Sequence, residues 1–184
     1  MSDINLSQLT PSRTKGIVLK YDYQTEGHYQ YSQTQKDQCW HIELKYVELQ
    51  GSILKSSSSE LFKPFAENIK TFKYSCDGRE AGFLQVGLES WNNRMRIWDI
   101  LVHPEFRGKQ IGTQMMNHAK KEALDFGARM IVLETQSCNI PAINFYLKHG
   151  FQLIGHDSSH YSNDDAADGE IRLEFGWFLP AGVR

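Results

Sequence analysis

The stretch from residue 95 to residue 135 constrains this chain more than any other. Residues 95–102 are a near-continuous apolar run of strand length, the mark of a central strand covered on both faces. His103-Pro104 ends that run, and a basic turn, Arg107-Gly108-Lys109-Gln110-Ile111-Gly112, opens the clearest helical pattern in the sequence. Over 109–126, Ile111, Met115, Ala119 and Ala123 recur at helical spacing, and Gly127 stands where a C-terminal cap belongs. Residues 130–135 then give a second apolar run of strand length. A strand, a helix and a strand in that order call for an α/β (α+β) sandwich with helices against a mixed sheet.

The flanking segments extend the same pattern. Asn139 can cap a further helix carrying Pro141 in its first turn, which ends near His149 before Gly150. Residues 151–155 and 171–178 read as strands joined by an acidic loop, 162–170. Upstream, 72–76 and 80–91 flank Asp77-Gly78, a dipeptide that accepts the positive backbone angles of a tight hairpin, and Asn92-Asn93 makes the next turn. In 39–49 the residues Trp40, Ile42, Leu44 and Tyr46 alternate with more polar neighbours, as in a half-buried strand. Residues 16–23 read as extended, 24–38 as a polar loop, 55–59 as a serine-rich loop and 60–69 as a short helix.

The 184 residues can bury one core, so a single domain over 1–184 is expected, with polar 1–14 as a loose leader. Twenty Lys and Arg against 22 Asp and Glu leave a formal charge of -2, which gives no general field to draw in nucleic acid or an anionic membrane. No stretch approaches the roughly 20 apolar residues of a membrane span. Cys39, Cys76 and Cys138 are scattered and lack CxxC spacing, so a cytoplasmic protein without a disulfide framework or a zinc site is expected.

Two elements carry chemistry. The 107–112 turn joins a buried strand to a helix N-terminus, where free amides, the positive end of the helix dipole, small glycines and the cations of Arg107 and Lys109 suit a phosphate. The second is Asn139-x-x-Ala142-x-x-Phe145-Tyr146-x-x-x-Gly150-Phe151, a capped amphipathic helix at another strand-to-helix junction. On spacing alone, Phe145 and Phe151 belong to a core, and Tyr146 packs with its hydroxyl toward water.

Taken together, the two elements resemble the GNAT superfamily of acetyl-coenzyme A dependent N-acetyltransferases. Its R/Q-x-x-G-x-G/A signature aligns with Arg107 to Gly112, with Gln110 where the family usually has its first glycine. Its later pattern aligns with Asn139 to Phe151. Leu133-Glu134-Thr135-Gln136, Ile154-Gly155, Tyr161 and Trp177-Phe178-Leu179 are further similar to streptothricin acetyltransferases, enzymes that acetylate a β-lysyl amine of a cationic antibiotic and so confer resistance.

The resemblance implies two splayed parallel strands, 96–102 and 130–135, with pantetheine between them on main-chain groups near Leu101 and Val102. The diphosphate would reach Arg107, Gly108, Lys109, Gln110, Ile111, Gly112 and Thr113, and the later motif would add Asn139, Ala142, Phe145 and Tyr146 to the acetyl-coenzyme A site. A backbone amide near Leu101 would stabilise the oxyanion. Glu134 is the first candidate for the base that takes the proton of the acceptor amine, and Asp99 the second. Asp99 is otherwise a substrate anchor or a partly buried carboxylate paired with Arg96 or another strand residue. Tyr146 would protonate the departing thiolate, with direct transfer and no covalent acyl intermediate. Trp98, Asp99, Glu134 and Tyr161 would meet a small cationic amine. Neither a metal nor a nucleic acid nor a membrane is called for, and a homodimer is open.

The acceptor stays open between that amine, the N-terminus of a protein and, for a non-catalytic acyl-coenzyme A sensor, none at all. His156 and His160, with Asp157, have metal-like spacing but lie in strand and loop. Asp164, Asp165, Asp168 and Glu170 are either a solvated loop or a lid that attracts a polycation. Trp98 and Trp177 are divided between core and acceptor pocket, and Cys138 is expected to be a bystander.

Overall fold

The computed structural model describes residues 3–179. Its elements fall into two compact units. The first comprises the chain up to Tyr21, Ser57–Leu133 and the residues from Trp177 on, and the second Asp22–Ser56 and Glu134–Gly176.

The first unit is built around strands β1 (Ile4–Leu9), β4 (Ile69–Cys76), β5 (Arg79–Glu89) and β6 (Arg94–Val102), each antiparallel to the next in that order. The hairpin between β4 and β5 turns on Asp77 and Gly78 at φ 52° and 77°, as their residue types predict. Strand β7 (Met130–Gln136) then lies parallel to β6, which makes the sheet mixed. Only Arg94–Arg96 of β6 pair with Met130–Val132 of β7, although both strands run on beyond that point. Between them runs α2 (Ile111–Asp125), whose buried stripe of Ile111, Met115, Met116, Ala119 and Ala123 is the apolar periodicity of the sequence. Gly127, at φ 66°, follows its end. Leu19, Leu61, Phe83 and Leu101 form a compact core cluster in this unit.

The second unit holds most of a long hairpin formed by β2 (Val18–Lys36) and β3 (Cys39–Glu60), which form a two-stranded sheet of their own. It also holds α3 (Ile140–Lys148), β8 (Gln152–Asp157), the four-residue α4 (Asp165–Asp168) and most of β9 (Arg172–Phe178), antiparallel to β8.

Five expectations give way. The serine-rich loop expected at 55–59 belongs to the end of β3, and the strand expected at 39–49 has Trp40, Ile42 and Tyr46 exposed rather than half-buried. The 1–14 stretch contains an edge strand, β1, paired with β4 over six residues, and a single helical turn, α1 (Pro11–Thr14). The polar loop expected at 24–38 is mostly strand, since Gln, Thr and Tyr satisfy a strand ladder as well as apolar residues do when the partner strand is covalently close. The helix expected over 60–69 is absent: Leu61 is pinned by its amide to the Ile17 carbonyl at 2.9 Å, and Ile69 already begins β4.

Candidate active site

The 107–112 turn begins with a single 3₁₀ turn over Pro104–Phe106. Gly108 is left-handed at φ 79°, with open space where a Cβ would stand. Gln110, which caps α2, is also left-handed at φ 64°. The departure from the family pattern therefore falls where the backbone favours glycine, and Gln110 holds that conformation with its side chain exposed. The first bond of the helix runs from the Gln114 amide to the Gln110 carbonyl, so the amides of Ile111, Gly112 and Thr113 precede the intrahelical ladder. Arg107 donates from Nε to the Val102 carbonyl at 3.4 Å. Arg79 and Lys109 both lie against the Phe106 ring, 5.1 and 5.2 Å from its centroid. Arg107, Lys109 and a helix start thus meet at one exposed turn, a set of donors that fits a diphosphate, with Arg79 beside it in an ion pair with Glu105 at 3.2 Å. Arg79 was not visible from the turn's own sequence, because β5 brings it there.

Strand β6 carries the next group. Its register against β5 skips Trp98: Gln85 pairs with Asp99 and Val86 with Ile97. This bulge puts the buried side chains of Ile97 and Asp99 on either side of Trp98. The Trp98 indole leaves the core to line a groove of 380 Å³ with Phe65, Trp91, Glu67, Gly87 and Glu89. It stacks edge-on to Phe65 at 5.6 Å, and Gly87 is needed beneath it, since a Cβ there would stand 2.7 Å from the Glu67 carbonyl oxygen and 3.0 Å from the indole nitrogen.

Asp99 does not pair with Arg96, which instead bonds Glu89 at 2.6 Å. It accepts from the Tyr21 hydroxyl at 2.6 Å and lies 2.9 Å from Lys63 Nζ. Burial pushes its carboxyl above the usual range, against the pull of Lys63 and Tyr21. Further along, the Leu101 carbonyl passes so close to Gly82 that a Cβ there would stand 2.0 Å from the oxygen. That contact fixes the main chain of Leu101, while Val102 is half-buried.

In the second unit, Glu134 projects from β7 into an ion pair with Arg172 of β9, Oε2 to Nε at 2.5 Å. Arg172 also faces Glu174 at 3.6 Å and His160 at 3.3 Å. No sequence signal marked it, since Glu134 comes from β7 and His160 from the turn after β8, and only Glu174 is its neighbour on β9. Asn139 caps α3 as expected, its side chain accepting from the Ala142 amide at 3.3 Å. That cap sets the phase of the helix, so Phe145 is half-buried and Tyr146 buried. The Tyr146 ring packs on Phe151 and Phe175 with centroids 6.2 and 6.1 Å away. Burial first, and then the charge of Glu134, hold the Tyr146 phenol above its ordinary pKa. The same two influences raise Tyr161, against the pull of Arg172. Glu134 is thus the charge common to both phenols, and Arg172 is its ion-pair partner.

Elsewhere, reactive side chains are held in structural roles. Cys138 is buried 3.3 Å from the Tyr23 hydroxyl, and burial pushes its thiol up, which disfavours the thiolate. The acidic stretch is not a solvated loop throughout. Buried Asp165 accepts from the Tyr161 amide at 2.7 Å and from Ser162 at 2.8 Å, and Glu170 is paired with Lys55 and bonded by Gln136. His156 stacks on Tyr31 at 5.0 Å, and no cluster suited to a metal ion occurs among the described residues. No helix among them is long and apolar enough to cross a membrane.

A mixed sheet with a short parallel pair, a basic turn at a helix start and a capped helix bearing a buried tyrosine define a class, and the chain belongs to it: residues 29–151 match the acetyltransferase (GNAT) family. It is 44% identical to the streptothricin acetyltransferase of Streptomyces lavendulae, over 53% of this chain and 51% of that protein. To that of Escherichia coli it is 37% identical, over 50% and 53%. The chain thus spans about half the length of the curated relatives it matches. Among solved structures, a nourseothricin acetyltransferase is similar over 96% of this chain and 99% of its own, at 29% identity and a TM-score of 0.78. A Bacillus anthracis protein in complex with acetyl coenzyme A shares the fold at 21% identity, with a TM-score of 0.71 over 97% of this chain and 98% of that one.

Proposed function

We propose that this protein transfers an acetyl group from acetyl-coenzyme A to a primary amine of a small cationic acceptor, with a streptothricin-type antibiotic as the substrate. The observation that carries the reading is the presence, in one compact unit, of an accessible carboxylate and a buried phenol. Glu134 has a side chain 40% exposed, and the Tyr146 phenol is held above its ordinary pKa by burial first and then by the charge of Glu134. The family and the streptothricin acetyltransferases that match this chain supply the reaction class.

The acetyl thioester supplies an activated acyl group, and the residues do the rest. Arg107, Lys109 and the first-turn amides of α2 hold the diphosphate. The main chain of Leu101 and Val102 orients the pantetheine arm, and an amide near Leu101 stabilises the charge that develops on the carbonyl oxygen. Glu134 takes a proton from the acceptor ammonium, because only the neutral amine attacks. Arg172 occupies Oε2 and holds the carboxylate in place. Tyr146 keeps its proton until the thiolate leaves and then gives it up. Asp99 balances Lys63 and takes no part in proton transfer.

Gln110 bears on the alternative of a non-catalytic sensor. With its side chain exposed and its backbone already in the turn conformation, Gln110 supports a productive turn. The test is thiol release from acetyl-coenzyme A with streptothricin, aminoglycosides, polyamines and N-terminal peptides. Turnover with streptothricin is the expected result. Turnover with peptides alone would replace the acceptor, and coenzyme A binding with no turnover across the panel would replace the function.

A further inference from the structure

Acetyl transfer makes no use of the outer strand of the long hairpin. Strand β3 runs for 22 residues and pairs only with β2, so its other edge has no strand partner among the described residues. Along 40–46 it presents two unlike faces. Trp40, Ile42 and Tyr46, at 57, 47 and 45% exposed, point with Leu44 to one side. Tyr46 is fixed there, edge-on to Tyr29 at 5.9 Å and lying directly over Gly27. His41, Glu43 and Lys45 alternate with these residues and are exposed on the opposite face. A long edge with an apolar row and no proline along it is the kind that pairs with another strand.

We infer that β3 pairs antiparallel with β3 of a second copy of this chain about a two-fold axis at Leu44. The charge pattern selects both the occupant and the register. An axis at Leu44 sets Glu43 opposite Lys45 of the second copy and Ile42 opposite its Tyr46, and symmetry makes each pair occur twice. Moving the axis by one residue, to Glu43 or Lys45, sets like charges against themselves. Ile42, Leu44 and Tyr46 of the two copies then form one continuous row, with Trp40 at its end opposite Glu48 of the second copy.

Light scattering and sedimentation of the full chain test this. Wild type is expected at twice 21.2 kDa. Glu43→Lys and Lys45→Glu each convert two attractive pairs into repulsive ones and should weaken association by about tenfold or more. The double reversal E43K/K45E restores the pairing and should recover the dimer. Thermal melting of each variant checks that these exposed substitutions leave the fold intact. A wild type that remains at 21.2 kDa at every concentration overturns the inference. So does a dimer indifferent to the single reversals, or one that both break and the double does not restore.

Discussion

Two carboxylates in this protein each face one cation, yet their surroundings differ. Asp99 in the first unit has a side chain only 3% exposed, and its partner Lys63 is 9% exposed. Glu134 in the second unit is 40% exposed, and its partner Arg172 22%. Both lie on the strands that the family resemblance marks as splayed, and the sequence offered both as bases. Exposure separates them. A buried pair stripped of one member leaves an uncompensated charge in a poor solvent, so Asp99 and Lys63 are bound to the fold. An accessible carboxylate can exchange a proton and then release it to water, so Glu134 is free to serve a reaction.

Removing the cation from the buried pair should have the largest effect on the fold. Lys63→Met is expected to cost about 3–5 kcal/mol in chemical denaturation. The sign with pH follows from Asp99, whose folded value lies above the ordinary carboxylate range. Protonation of Asp99 favours the folded state, and that contribution is complete below the unfolded value and lost as pH rises through the folded one. The penalty in Lys63→Met should therefore be greatest at neutral pH and shrink on acidification. A pH-independent penalty would break the contrast between the two carboxylates.

Glu134→Gln should do the reverse, changing stability by under about 1 kcal/mol while lowering turnover by about 10²-fold. The loss should be deepest at low pH, where the acceptor amine holds its proton most firmly. Full rate with an unchanged pH profile would return the base to Asp99 or to water. Tyr146→Phe should lower turnover by about tenfold with acetyl-coenzyme A affinity kept, because only the proton donor is lost. Gln110→Gly is the smallest change. Relieving a left-handed glutamine should stabilise the protein by about 1 kcal/mol in thermal melting and leave cofactor affinity unaltered. A gain in affinity would mean that the glutamine side chain crowds the diphosphate.

What the sequence disclosed follows the same division between local and distant causes. The hairpin at Asp77-Gly78, the stop at Gly127 and the Asn139 cap depend on a residue and its immediate neighbours, and all were legible. The 107–112 turn was legible for the same reason, though not the support from Arg79. The β2–β3 hairpin was only partly visible, since Trp40 to Tyr46 alternate but Gln24 to Gln38 carry no period. Residues 60–69 read as a short helix because the bond from Leu61 to Ile17 spans 44 positions. The partners of the two carboxylates were hidden likewise: Lys63 lies in a loop and Arg172 on the last strand. The skipped register at Trp98 left no trace in composition or periodicity.

Mass spectrometry of streptothricin after incubation with acetyl-coenzyme A and the purified chain is the decisive test of acetyl transfer to this acceptor. One acetyl group on the β-lysyl amine, with stoichiometric release of free thiol, is the expected result. Unmodified streptothricin in the presence of protein shown to bind acetyl-coenzyme A would contradict that transfer.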